Sequence, residues 1–215
     1  METGAKKVVI SGPVKEKQDF LIDKNKQGST ILMAINDNEI TNFDITANSS
    51  CTTNAVALVL DILKKEIGIK YSLLTTIHSY TASQEIVDSP VKSNKKDFRR
   101  GRAGAVNIIP TTTGSAKQVG KIIPELKDKF DGIAVRVPVV TGSLADIVFI
   151  AEKDTTVEEI HNIFIKAEKE KKYKGFFRTE TEQIVSTDII GDIHTSIVDL
   201  NFTRVVGNKL VKIIV

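Results

Sequence analysis

The only cysteine of the sequence, Cys51, lies where a helix is predicted to begin. It falls in residues 48–54 (NSSCTTN), and the following AVALVLDILKKEIG repeats apolar residues at spacings of three and four, which predicts an amphipathic helix. Ser49 or Ser50 is a suitable N-cap, so Cys51 would occupy the first helical turn. Unpaired N–H groups and the helix dipole stabilise a thiolate there and lower its pKa. An inert core cysteine is the alternative, and composition and spacing alone favour neither.

A histidine follows at the end of the next predicted strand. Residues 69–77 (IKYSLLTTI) form that strand and deliver His78 to its end. If the strand lies beside the helix, the imidazole could pair with the thiol and act as a base or an acid on a substrate oxygen. Taken alone, a histidine at a strand end is more often at the surface or hydrogen-bonded. His161, on a predicted solvated helix, and His194, in the turn-like GDIHTS, are predicted to be structural.

Several groups further along the chain are suited to binding anions. Thr113 and Gly114 open a predicted short helix (SAKQVGKII), where backbone donors and a hydroxyl suit a phosphate. Arg136 lies within the apolar GIAVRVPVV, and burying its charge unpaired would be costly. A bound anion is one possible partner, although a buried carboxylate is the commoner one. A basic loop adds three arginines that could bind anions but are more often just solvated: Arg99, Arg100 and Arg102.

Predicted strands and helices alternate early in the chain, and strands dominate later. The predicted fold class is α+β, with a mixed, largely antiparallel sheet and helices packed on one face. Thr156 and Glu159 fit a capping box, which opens a helix predicted over residues 155–172. Residues 79–113 read as a long functional or disordered loop. The other predicted strands are residues 7–11, 29–35, 42–46, 131–140, 143–151, 183–186 and 195–200, and a hairpin of 202–206 with 209–215 that turns at Gly207 and Asn208.

Composition narrows the class of protein. The chain has 215 residues, enough for one well-buried domain or one domain and part of another, and 41% of them are hydrophobic. Its net charge of +3 and low aromatic content argue against nucleic-acid partners. The longest apolar run, residues 55–60, is far short of a membrane span. One cysteine and three scattered histidines predict no disulfide and no metal site, and the predicted compartment is the cytoplasm.

The segments around these residues carry a resemblance to a known family. SCTTN and its apolar helix, IHSYTASQ, RRGRAGAVNIIPTTTGSAKQVGKIIPEL, GIAVRVP, TRVVG and LVKIIV follow one another in order. Together they resemble the glyceraldehyde-3-phosphate dehydrogenases over essentially the whole chain, most weakly over residues 14–42. The departure is VVTGSLADI after GIAVRVP, where many members have a Pro-Asn segment, so the subgroup stays open.

The resemblance implies a nucleophile and its partner. Cys51 resembles the thiol that adds to an aldehyde carbon and gives a thiohemiacetal. Hydride then passes to NAD, and inorganic phosphate cleaves the acyl-thioester to an acyl phosphate. His78 resembles the residue that activates the thiol and handles the hemiacetal proton, and the backbone N–H of Cys51 would help to stabilise the oxyanion.

The resemblance also implies two anion sites. One holds the terminal phosphate of the substrate with Thr81 and Arg136. The other receives the attacking inorganic phosphate, and Arg100 resembles the loop arginine that bridges both. The residues implied for the attacking phosphate are Ser50, Thr52, Thr113 and Gly114. The loop over residues 88–107 resembles one that lines a subunit interface, so a homo-oligomer is expected.

The cofactor half of the family pattern has no counterpart here. The sequence contains no G-x-G-x-x-G, since no two of its glycines are two residues apart. Residues 1–50 are therefore expected to be a remnant of the nucleotide-binding Rossmann domain, and residues 51–215 a catalytic domain truncated at its C-terminal end. NAD is expected to bind weakly or not at all, and the cofactor-binding residues remain unknown.

Three readings of function remain open at this stage. The leading one is the catalytic part of a phosphorylating, NAD-dependent glyceraldehyde-3-phosphate dehydrogenase of glycolysis, with an erythrose-4-phosphate dehydrogenase as the close competitor. The second is a non-catalytic assembly or interaction fragment. The third treats Cys51 and His78 as a hydrolase-like dyad acting on acyl esters.

Overall fold

Twelve short and long strands form three sheets in this computed structural model, which describes residues 4–14, 21–23, 26–91 and 97–215. Three helices, α1 (Cys51–Glu66), α2 (Ser115–Ile122) and α3 (Val157–Glu168), accompany them. The strands are β1 (Val8–Ile10), β2 (Leu21–Asp23), β3 (Lys26–Gln27), β4 (Ser29–Thr30), β5 (Ile45–Ala47), β6 (Ile69–Ser79), β7 (Ile109–Thr112), β8 (Phe130–Val137), β9 (Ser143–Ala151), β10 (Phe177–Glu180), β11 (Ser196–Val206) and β12 (Leu210–Ile214).

A seven-stranded sheet in the order β10-β11-β12-β9-β6-β8-β7 carries the larger part of the fold. The pairs β10/β11 and β6/β8 are parallel, and the other four neighbouring pairs are antiparallel. The early strands β1, β5 and β4 form a small parallel sheet, and β2 and β3 a two-stranded ribbon. The predicted α+β class with a mixed, largely antiparallel sheet is confirmed.

One face of the large sheet is covered by the helices. Along β6, Ser72, Leu74 and Thr76 are buried, whereas Tyr71 and Leu73 between them are exposed, because successive side chains of a strand point to opposite faces. All three helices contribute buried apolar residues to a single core with the central strands. The prediction of helices on one face is therefore confirmed.

The other face exposes large apolar side chains. Strand register aligns Tyr71 with Ile150, Ile77 with Leu144, and Thr75 with Ile133, so these neighbours share a face. We call this surface the open apolar face and define it by its exposed members: Tyr71, Leu73, Ile77, Ile133, Leu144 and Ile150. A surface of this kind marks an interaction site when it is continuous.

Local sequence signals explain where the helices begin and end. The Ser50 hydroxyl accepts a hydrogen bond from the Thr53 N–H at 3.1 Å and caps α1. Gly68, just beyond the end of α1, has φ +73°, a left-handed conformation that glycine adopts at little cost. The capping box of Thr156 and Glu159 is present on α3, although that helix is shorter than the predicted 155–172.

Two predicted strands are wrong because side chains capture backbone groups. Residues 29–35 keep only β4, since the Asn36 side chain accepts from the Leu32 N–H at 2.8 Å and folds the chain into a turn. Residues 183–186 form no strand. Just before this segment, the Glu180 carboxylate accepts from the N–H groups of Thr181 and Glu182, and within it Asp188 accepts from the Val185 N–H at 2.7 Å.

Other differences concern strands that the sequence prediction missed, joined or shifted. The strand β7 lies inside the predicted loop 79–113, and β10 was not predicted. The predicted strands 195–200 and 202–206 form one strand, β11, with an irregularity between Asp199 and Arg204. The strand predicted at 42–46 is displaced to β5. The predicted turn at Gly207 and Asn208 is confirmed, with φ +57° and +58°.

Candidate active site

A loop held by side-chain hydrogen bonds places Cys51 at the first position of α1. The Asn54 side chain donates to the Asn48 carbonyl at 2.6 Å and to the Ser50 carbonyl at 2.9 Å, which fixes the turn into the helix. Ser49 has φ +61°, an uncommon conformation for a residue with a side chain. Cys51 is exposed, so its thiol can meet a ligand.

Cys51 lies in contact with His78 from the end of β6. The Sγ atom is 3.3 Å from Nε2. This hydrogen bond lowers the pKa of the Cys51 thiol from 9.0 to about 7, against partial burial, which raises it, and the electrostatic attraction of His78 and the Thr52 N–H lower it further. At neutral pH about half of the thiol is therefore ionised.

Arg136 from β8 determines which ring nitrogen of His78 carries the proton. Parallel register pairs Arg136 with His78, and the Arg136 Nη1 atom is 2.6 Å from His78 Nδ1 and 2.9 Å from the Ser79 carbonyl. A guanidinium can only donate, so Nδ1 accepts, and the ring proton of a neutral imidazole lies on Nε2, facing Cys51. The 2.8 Å contact of Nδ1 with the Ser79 carbonyl would instead need a proton on Nδ1, which would set two donors face to face. We assign the Nε2 tautomer for that reason.

All nine residues predicted for the site line one cavity of about 880 Å³. They come from the start of α1, the end of β6, the basic loop, the start of α2 and the strand β8. The nine are Ser50, Cys51, Thr52, His78, Thr81, Arg100, Thr113, Gly114 and Arg136. Their proximity makes one site possible, and the role of each stays a prediction.

The cavity wall also includes residues that the sequence prediction missed. Thr76 and Ala134 lie on it one alternation before His78 and Arg136, and Lys117 and Lys121 reach it from α2. The period of two along β6 and the four-residue spacing on α2 were visible signals for both pairs. None of the described residues on this wall is an aspartate or a glutamate.

The side of the cavity near α2 combines a helix N-terminus with a cluster of hydroxyl groups. Gly114 is the N-cap and provides no side-chain cap, and the space around its Cα is open. The Thr113 and Ser115 hydroxyls are 3.0 Å apart, and Ser50 Oγ is 3.3 Å from Ser115 Oγ. A helix N-terminus with such neighbours suits a phosphate oxygen.

The two arginines of the cavity hold buried donors without an acceptor. The Nε atoms of Arg100 and Arg136 are buried and meet no hydrogen-bond partner among the described residues. Burial lowers the pKa of Arg136, and the nearby Arg100 lowers it further, while the Cys51 charge raises it. Thr81 is held by Gln84, whose side-chain oxygen accepts from the Thr81 N–H at 3.0 Å. An anion between these groups would satisfy donors that the protein leaves unpaired.

A second, more apolar pocket of about 280 Å³ adjoins Cys51 from the opposite side. Its wall includes Ile184 and Ile189 from the segment between β10 and β11, Ile214 at the end of β12, and His194. The His194 Nδ1 atom is 2.7 Å from the Asp192 carboxylate, and Arg178 holds the other carboxylate oxygen at 3.0 Å. His194 is therefore part of an ion-pair cluster, in line with a structural role, and it is not the partner of the thiol.

The described residues form no metal cluster and no membrane helix. No group of three or more histidine, cysteine or acidic side chains is placed to hold a metal ion within the described ranges. In the same part of the chain, no helix is long and apolar enough to cross a membrane.

Comparison with known proteins decides the family. Residues 50–215 match the family model described as glyceraldehyde 3-phosphate dehydrogenase, C-terminal domain. The chain belongs to the glyceraldehyde-3-phosphate dehydrogenase family. That family is one of oxidoreductases that use NAD and act in glycolysis.

Curated members of the family are similar over nearly all of this chain. The glyceraldehyde-3-phosphate dehydrogenase of Borreliella burgdorferi is 43% identical over 214 residues, which cover 98% of this chain and 59% of that protein. The enzymes of Streptomyces coelicolor and Mycobacterium avium are 42% and 41% identical, with 98% and 97% of this chain covered and 59% and 58% of theirs. The chain thus spans less than two thirds of the length of these relatives.

The strands of the small parallel sheet lack one feature typical of dinucleotide-binding domains. The parallel strands β1, β4 and β5 are two or three residues long, and none is followed by a glycine-rich turn that opens a helix. The turn after β5 opens α1 with Ser50 and Cys51 instead, and both residues line the cavity of about 880 Å³.

Proposed function

We propose that this chain carries the thiol and anion-binding machinery of a phosphorylating aldehyde dehydrogenase that acts on glyceraldehyde 3-phosphate. The observation that carries the proposal is the 3.3 Å contact of Cys51 Sγ with His78 Nε2 on the wall of a cavity lined by cations. To form an acyl phosphate, the protein needs to supply a thiolate, a proton donor and binding sites for two anions.

The first step assigned to these residues is addition of the thiol to an aldehyde. The Cys51 thiolate attacks the carbonyl carbon, a C–S bond forms, and the C=O π electrons move to the oxygen. The Cys51 N–H at the free end of α1 supports that oxyanion, and His78 Nε2–H is placed to protonate it. Thr81 and Arg136 hold the phosphate at the other end of the substrate and orient the carbonyl toward Sγ.

The second step is acyl transfer from sulfur to phosphate. An oxygen of inorganic phosphate, held by Ser50, Thr52, Thr113 and Gly114, attacks the thioester carbon. The C–S bond then breaks, and Cys51 leaves as the thiolate that its lowered pKa favours. Arg100 lies on the same wall and bridges the two anions. Between these steps the family uses NAD to remove hydride.

The acyl-transfer chemistry can be tested without a dinucleotide. A small acyl phosphate incubated with the chain should acylate Cys51, which intact-mass spectrometry detects as one added acyl group, released again by inorganic phosphate. Cys51→Ser should take up nothing, and His161→Asn, a histidine change on the distant α3, should match the native chain. If the native chain stays unmodified at neutral pH, the proposal is wrong. Comparing glyceraldehyde 3-phosphate with erythrose 4-phosphate as thiol-protecting aldehydes distinguishes the two substrate classes.

We propose that residues 1–50 belong with a nucleotide-binding domain and residues 51–215 form the catalytic domain. The parallel sheet of β1, β4 and β5 supports the first part, and the family match from residue 50 supports the second. The chain alone should bind NAD weakly or not at all. Calorimetric titration with NAD tests this, and micromolar affinity would contradict it.

An assembly role is the second candidate, and the open apolar face favours it. Its six large side chains lie on one side of three neighbouring strands and are 36% to 64% exposed. We propose that a second copy of the chain covers this face. Sedimentation of the native chain and of Leu73→Lys tests the point, since the charge should yield monomers.

A reduced thiolate nucleophile also fits the cytoplasm as the proposed compartment.

A further inference from the structure

Two lysines of α2 line the catalytic cavity, and the proposed reaction gives them no role. Lys117 is the third residue of α2, and Lys121 follows four residues later. Residues at that spacing lie on one face of a helix. Both side chains are exposed, and both lie on the wall of the cavity that contains Cys51.

Lysines and arginines are the charged residues that line this wall within the described part of the chain. Besides the two lysines of α2, they are Arg100 and Arg136, and none of the described lining residues is an aspartate or a glutamate. Among neighbouring carboxylates, Glu125 is paired with Lys64 at 2.8 Å. Asp128 and Asp131 line an adjacent groove, to which Lys117 and Lys121 also contribute. A cavity lined by like charges focuses its field toward the opening and concentrates counter-ions there.

We propose that Lys117 captures inorganic phosphate from solvent and guides it to the Thr113 and Gly114 end of α2. Lys117 is in the first turn of that helix, whose Gly114 N-cap provides no side-chain cap, and the Thr113 hydroxyl accepts from the Ser115 N–H at 3.2 Å. A lysine ammonium is a mobile point charge without a fixed fork, which suits capture of a dianion better than fixed positioning. This inference rests on the proposed function, because it concerns the route to the phosphate site assigned there.

The size and salt dependence of the effect follow from electrostatics. One ammonium acting on a dianion across several ångströms of water changes phosphate affinity about threefold or more at low ionic strength. Screening removes that gain when the Debye length falls from about 30 Å at 0.01 M salt to about 3 Å at 1 M. A lysine with a merely structural role would not show this dependence on salt.

The test measures how inorganic phosphate protects Cys51 from iodoacetamide, a neutral alkylating agent. The phosphate concentration for half protection is determined for the native chain, Lys117→Gln and Lys127→Gln at both salt concentrations. Lys127→Gln is the matched control, because Lys127 is exposed in the adjacent groove, carries the same charge and does not line the cavity. Circular dichroism establishes that the variants fold alike.

The inference expects Lys117→Gln to need about threefold more phosphate at low salt and the same amount at high salt. Lys127→Gln should match the native chain at both. Equal behaviour of the two variants at low salt would overturn the role of Lys117 and leave the proposed function standing. Absence of phosphate protection in the native chain itself would overturn both.

Discussion

The pH dependence of Cys51 alkylation tests the core of the proposed chemistry. The imidazole contact lowers the pKa of the thiol from 9.0 to about 7. The site therefore favours the thiolate over that of a thiol in water, although solvent screening at the exposed Cys51 weakens the effect. Replacing His78 by asparagine removes the largest cause of this change. We therefore expect the midpoint of the pH profile to rise from about 7 toward 9.

The expected rates follow from two opposing factors. At pH 7 a thiol with a pKa of about 7 is about half ionised, against about one part in a hundred for a pKa of 9.0, a gain of about fiftyfold. A thiolate of lower pKa is less nucleophilic, and with a Brønsted coefficient of about 0.4–0.5 this costs about eightfold. Cys51 should then react about sixfold faster than an unperturbed thiol at pH 7. At pH 10 the order should be reversed.

The assay is alkylation with iodoacetamide from pH 5 to pH 10, quenched at set times. Intact-mass spectrometry then measures the alkylated fraction. The His78→Asn variant should be slower than the native chain at pH 7 and faster at pH 10, so the two profiles cross. His161→Asn controls for loss of a histidine, since its ring lies on α3, away from the cavity. An unchanged midpoint in His78→Asn would refute the assignment of His78 as the group that stabilises the thiolate.

Three further predictions concern stability. Ser50→Ala removes the cap of α1 and should lower the free energy of unfolding in urea by about 1 kcal/mol. Gly132→Ala places a Cβ 2.6 Å from the Leu74 carbonyl oxygen of the neighbouring strand and should cost about 1–3 kcal/mol in the same measurement. Hydrogen bonds from the His194 N–H, the His194 ring and Arg178 lower the pKa of Asp192 to about 2. The ionised carboxylate therefore stabilises the fold above pH 4 and loses this effect as the pH falls through 2. The free energy of unfolding of Asp192→Asn should be lower than that of the native chain at pH 6, by less than about 1 kcal/mol because the group is accessible to water, and the difference should vanish near pH 2.

Local signals made the position of Cys51 at the start of α1 predictable from the sequence. The cap at Ser50, the apolar period after Cys51 and the glycine at 68 define α1 within the chain segment itself, and each is present in the structure. The capping box of α3 was predictable for the same reason. Such signals act over three or four residues and need no knowledge of the fold.

Nonlocal and side-chain effects account for the strands that prediction missed or misplaced. The strand β7 is short and includes a proline, and only pairing with β8 makes it a strand. Residues 183–186 have suitable strand composition, but the Asp188 carboxylate accepts from the Val185 N–H, and the Glu180 carboxylate accepts from the N–H groups of the two residues just before the segment. The distance between Cys51 and His78 likewise depends on how α1 packs over β6, which no local pattern specifies.

The register of the parallel pair β6/β8 is what joins the thiol site to the anion site. It sets His78 directly beside Arg136, although 58 residues separate them in the sequence. Because side chains alternate, a slip of one residue would turn Arg136 toward the open apolar face and bring Val135 beneath the helices. If β6 slipped by one residue, Tyr71, Leu73 and Ile77 would turn from the open apolar face toward the helices. The same alternation therefore places the proposed catalytic residues on the helix-covered face and the open apolar face on the other side, so a change in register should damage both proposed functions together.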